Sequence, residues 1–145
     1  MSRFHYTSSQ GFAGVPGYLP FVPTTLLRTN NFQRITHRLT LPALVDSGAT
    51  VNVLPYDIGI RLGFTWDRDC PDTPFVGMIY GVPALGVTLF AKVGQFAPVR
   101  FTFGWSQKSS TELPFILGQT NFFDEFYVDF RKPKGFFDIL KSGEV

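Results

Sequence analysis

The stretch "ALVDSGATVNVLP", residues 43–55, ends an apolar run on an acidic side chain and follows it at once with Ser-Gly-Ala. A carboxylate buried without partners is costly, so Asp46 either caps a surface turn or is held for a purpose. The flanking sequence bears on which. Upstream, "QRITHRLTLPALV" (33–45) alternates Ile35, His37, Leu39 and Leu41 against Arg34, Thr36, Arg38 and Thr40. That period of two marks a strand with one buried face. His37 falls on the apolar side, where a half-buried, hydrogen-bonded histidine is the plain reading. Downstream, "VNVLPYDIGIRLGF" (51–64) reads as a short apolar strand that turns at Pro55 into one or two helical turns. Ile58 and Leu62 share a face of that helix, and Gly63 is placed to stop it. Asp46 therefore stands at a tight, small-residue turn between two strands.

Working outward, the texture stays β-rich. "LPFVPTTLLR" (19–28) is a β-prone run whose prolines predict an edge strand. "FVGMIYGVPALGVTLFAKVG" (75–94) predicts a hairpin with its tip near Tyr80-Gly81, then a strand through Val93. "FAPVRFTFGW" (96–105) predicts a strand with Val99, Phe101 and Phe103 on one face, and "LPFILG" (113–118) a short buried strand ended by Gly118. "QTNFFDEF" (119–126) suits one or two helical turns, and "YVDF" and "FFDIL" flank "RKPKG" as a closing hairpin. About seven short strands with only two brief helices predict an all-β barrel or sandwich. Residues 1–17, polar and glycine-bearing, read as a flexible N-terminal arm, and 18–145 as a single domain.

Composition narrows the function. Apolar residues make up 44% and charged residues 17% of the 145, as in a folded domain. The 17 phenylalanines are more than one core of this size hides, so some are expected to line a groove or a subunit contact. A net charge of +2 with scattered basic residues gives no reason to expect nucleic acid. No stretch nears the ~20 apolar residues of a membrane span, and no signal-peptide core opens the chain, so the default expectation is a cytoplasmic protein without membrane contact. Cys70 stands alone in the turn-like "RDCPDTP" and reads as a free surface thiol. His5 and His37 lie far apart without metal-ligand spacing, so neither a metal nor a cofactor is expected.

Two carboxylates held about 3 Å apart cannot both ionise and share one proton. One then acts as base on a water while the other donates to a carbonyl oxygen, with no metal or covalent intermediate required. Such a device needs a strand to deliver the Asp and a small-residue turn beneath it. A lone D-S/T-G is weak, often an ordinary turn. Here three apolar residues precede it, Ala49 follows it, and a second apolar run ending in glycine, "FILG" (115–118), lies downstream of the hairpin.

On "ALVDSGAT", "GMIYGVPA" and "LPFILGQTNFFDEFYVDF" the chain resembles the retropepsin-like aspartic proteases, single-lobed relatives of pepsin, across roughly residues 18–140. The resemblance implies an acid-protease barrel active as a homodimer, with Asp46 catalytic. It implies that Ser47 reaches toward its counterpart in the facing subunit, that Gly48 offers its carbonyl to substrate backbone, and that Ala49 packs beneath. Ile79, Tyr80 and Gly81 would form a flap, Ile116 would line a substrate pocket, and Gly118 would permit close approach to the Asp loop. Thr50 and Gln119 stand where the retroviral form often has an acid and an arginine, so a charged pair becomes a neutral one. The aspartates at 57, 67, 69, 72, 124, 129 and 138 lack this setting, so a second carboxylate must come from a second copy across a twofold axis. The implied activity is an endopeptidase on peptide or protein substrates. The alternatives are a dimeric peptide-binding module without catalysis, and a β-sandwich in which Asp46 merely caps a turn.

Overall fold

The computed structural model describes residues 1–9, 17–66, 76–79 and 81–144. In chain order the strands are β1 (Ser2–His5), β2 (Thr7–Ser9), β3 (Gly17–Leu19), β4 (Phe21–Thr29), β5 (Ile35–Val45) and β6 (Asn52–Leu54). Helix α1 (Tyr56–Arg61) follows, then β7 (Val76–Ile79), β8 (Val82–Val93), β9 (Val99–Ser106) and β10 (Ile116–Leu117). Helix α2 (Phe122–Glu125) precedes β11 (Phe126–Arg131) and β12 (Phe136–Lys141).

Six strands close a barrel in the order β4-β5-β10-β6-β9-β8, with β8 returning to pair β4. Strand β7 adds to the free end of β8, while β1-β12-β11 form a separate three-stranded sheet. The alternation read for β5 holds from His37 onward, with His37, Leu39 and Leu41 half-buried and Thr36, Arg38 and Thr40 exposed, but Ile35 at the strand's start is 49% exposed. Inside the barrel, Val22 and Leu26 of β4 meet Leu89 and Val93 of β8 and Phe101 and Phe103 of β9 in one core. Many of the phenylalanines turn inward here. Phe122 meets Phe101 edge-on at 6.4 Å and stacks on Phe126 at 5.1 Å, which fixes α2 against the barrel. Phe32, Phe90 and Phe130 remain exposed.

Helix α1 begins after Pro55 and ends where Gly63 takes φ +83°, as its sequence predicts. Its middle lies against Trp105, whose Nε1 donates to the Tyr56 carbonyl at 3.0 Å. A β-carbon at Gly59 would fall 2.1 Å from that indole nitrogen, so only glycine permits this approach.

Two expectations need correction. Residues 2–5 of the expected arm are a strand, paired with Phe136–Ile139 of β12, and Thr7–Ser9 pair with Gly17–Leu19. The cause is an alternation within "RFHY": Phe4 stacks on Phe137 at 5.7 Å and buried Tyr6 meets it edge-on at 5.6 Å. The rest of the arm, 10–16, and Cys70 lie outside the described residues. Nor is β4 an edge strand. It pairs β5 on one side and, through Thr24–Leu27, β8 on the other. Pro23 stands just before the doubly paired stretch, so its missing N–H breaks no bond to β8.

Candidate active site

Strand β10 lies between the strand that leads into Asp46 and the strand that leads away from it. It runs parallel to β5, with Leu44 opposite Ile116 and Val45 opposite Leu117, and antiparallel to β6, with Ile116 opposite Val53. The two apolar runs read from the sequence thus lie side by side. Residues 46–51 must then arch over the end of β10. Gly118 sits under that arch: a β-carbon there would fall 2.4 Å from the Val51 carbonyl oxygen and 2.8 Å from that of Ala49. Backbone, not a movable side chain, fills the space.

The arch is tied down along its length. The Asp46 amide donates to Leu117 at 3.0 Å, the Gln119 amide to Ala49 at 2.8 Å, and the Thr120 amide to Thr50 at 3.1 Å. Within the turn, the Ala49 amide donates to the Asp46 carbonyl at 3.1 Å and the Gly48 amide to Asp46 Oδ1 at 2.9 Å. The last of these orients the carboxylate. Gln119 adds a side-chain tie, its Nε2 donating to the Ser47 carbonyl at 2.7 Å. Ser47 and Thr50 are exposed, while Ala49 is buried beside Val53, Leu113 and Ile116.

Behind the arch stands Asn52, a fully buried amide in an otherwise apolar strand. Its Oδ1 accepts from the Gly118 amide at 2.8 Å and its Nδ2 donates to the Thr102 carbonyl at 3.2 Å. A buried amide is tolerated when its groups are paired in this way. Asn52 thereby fastens β10 and β9 to the strand leaving Asp46. Neither Asn52 nor the side-chain bond of Gln119 figured among the expected site residues. The visible signal was an amide within "VNVLP".

Asp46 lines a cleft of about 300 Å³ together with Leu44, Lys108, Glu112, Leu113, Pro114 and Ile116. The floor is apolar and the rim carries one charge of each sign. Helix α1 holds the wall: the Tyr56 amide donates to the Lys108 carbonyl at 2.8 Å. Asp57 accepts from the Ser110 amide at 2.7 Å and from its hydroxyl at 2.5 Å. Burial pushes the Asp57 carboxyl up, but these two bonds, its own amide and nearby Arg61 together pull it below its ordinary range.

Of the expected site residues, the fold brings Asp46, Ser47, Gly48, Ala49 and Thr50 together with Ile116 and Gly118. The hairpin forms as read, with Ile79 opposite Val82 and Gly81 at φ +78°. Tyr80 lies outside the described residues. No cluster of three His, Cys, Asp or Glu that could hold a metal occurs among the described residues, and no helix there is long and apolar enough to cross a membrane. Compared with protein-family models, with curated proteins and with solved structures, the chain matches none.

Proposed function

We propose that the chain is an aspartic endopeptidase that acts as a homodimer, with Asp46 from each copy meeting at the twofold axis. The observation that carries this reading is the setting of Asp46. Its strand delivers it to the wall of a cleft, and its arch is tied by backbone bonds across Gly118, where no side chain fits. An ordinary turn-capping Asp needs no such support. The rigid arch supplies preorganisation, because a dyad sharing one proton requires its oxygens within hydrogen-bonding reach of each other. In the proposed reaction one Asp46 takes a proton from water as that water attacks the peptide carbonyl. Its twin donates a proton to the carbonyl oxygen; as the tetrahedral species collapses, the first Asp46 gives its proton to the departing nitrogen and the twin recovers its own from a hydroxyl.

The test is Asp46→Asn. Peptide-library cleavage between pH 4 and 7 should vanish, while sedimentation still reports a dimer and the melting temperature stays close to wild type. Full activity in that variant would overturn the assignment. Tight peptide binding by the wild-type chain, with no cleavage at any pH, would point instead to a binding module.

A further inference from the structure

The basic residues that look scattered in the sequence meet on the outer wall of the barrel. Register places Arg38 of β5 opposite Leu27 of β4, Leu27 opposite Phe90 of β8, and Phe90 opposite Arg100 of β9. One transverse row therefore reads Arg-Leu-Phe-Arg across four strands, about 15 Å end to end at ordinary strand spacing. Lys92, opposite Thr25, flanks the row on the same face.

The row has no counter-charge. No Asp or Glu occurs in residues 1–45 or 73–111, which supply all four strands. Among the described residues Arg38, Lys92 and Arg100 make no side-chain hydrogen bond or ion pair. Beside the row opens a second cleft of about 310 Å³, lined by Thr29, Gln33, Thr88, Leu89, Phe90 and Arg100. The β4–β5 turn at its edge projects Phe32, which is 84% exposed.

We propose that this wall docks an extended acidic peptide segment with an apolar residue between its carboxylates: the apolar side chain would lie against Phe90, which is exposed while Leu27 beside it is buried, and the carboxylates would meet Arg38 and Arg100. Charge complementarity selects an anionic partner, because three unpaired cations face solvent with no acid among them. The apolar centre selects a peptide. A single nucleic-acid strand is gripped by successive aromatic platforms along a basic groove, and this row offers one exposed ring. The wall is separate from the Asp46 cleft, and the proposal does not depend on hydrolysis there.

The test uses the full chain carrying Asp46→Asn, so that nothing is cut. A short fluorescein-labelled peptide of pattern Glu-Ser-Leu-Ser-Glu, whose leucine and two glutamates share one face of an extended chain, is titrated by anisotropy, beside its glutamine counterpart and an oligothymidylate of similar length. The acidic peptide should bind saturably, and weaken as salt rises from about 0.05 to 0.5 M. Arg38→Glu with Arg100→Glu should raise its Kd by about tenfold or more. Arg38→Gln with Arg100→Gln should weaken it less and serves if charge reversal impairs folding. No saturable binding, equal binding of the glutamine peptide, indifference to both double variants, or tighter binding of the oligothymidylate would each overturn the proposal.

Discussion

Replacing Gly118 with alanine tests the arch over β10 directly. The new methyl would sit 2.4 Å from the Val51 carbonyl oxygen and 2.8 Å from that of Ala49, so the backbone of the arch has to lift. Overpacking costs about 1–3 kcal/mol when side chains can yield. Here the obstacles are carbonyls, which sets the cost at the upper end. Lifting Ala49 also strains the bond from the Gln119 amide, and such bonds contribute about 1 kcal/mol each. The expected loss is roughly 3–4 kcal/mol, a large share of the 5–15 kcal/mol typical of a domain. At about 3 °C per kcal/mol for a chain of this size, the melting temperature falls by roughly 10 °C. Urea denaturation of the purified chain reads the free energy, and calorimetry reads the temperature. Gly143, with open space where a β-carbon would stand, supplies the control, and Gly143→Ala should change little. A Gly118→Ala chain within about 0.5 kcal/mol of wild type would refute the close approach on which the arch depends.

Gly59→Ala drives a methyl into the Trp105 indole and should cost about 2–3 kcal/mol in urea unfolding, with a shift in tryptophan emission as the ring moves from its bond to Tyr56. Unchanged emission and stability would count against this packing. Asp57, held below its ordinary value of 3.8, contributes stability that is fully present above that value and lost as pH falls through its folded value. Stability measured from pH 7 to 2 should therefore fall less steeply at the acid end in Asp57→Asn than in wild type. Parallel curves would show that Asp57 does not clamp the wall of the cleft.

The barrel was legible wherever the local pattern and the long-range pairing agreed. The alternation of β5, the Pro55–Gly63 bounds of α1 and the Gly81 hairpin all follow from spacing and turn chemistry. Asp46 and Gly118 stood out because an acid and a glycine each end an apolar run. What escaped depends on partners distant in the chain. Prolines near the start of "FVPTTLLR" suggest an edge, but pairing with β8 spans only Thr24–Leu27, where no proline falls. The alternation of "RFHY" is too short to identify until Phe137 is beside it. The basic wall was invisible for the same reason, since Arg38 and Arg100 are neighbours only through the registers of three strand pairs. Asn52 was readable as unusual, yet its partners, Gly118 and Thr102, are supplied by two other segments.

The ion pair between Arg3 and Asp138, with Nε and Nη2 reaching the two carboxylate oxygens at 2.8 and 3.0 Å, joins positions 135 residues apart. At a synthesis rate of about 5–20 residues per second, on the order of 10 s pass between the emergence of β1 and that of the strand it pairs. During that interval Phe4 has no ring to rest on and Tyr6 has only Tyr18, so β1 waits uncovered until β12 has been made. Any helper that shields apolar segments during translation would find a target there.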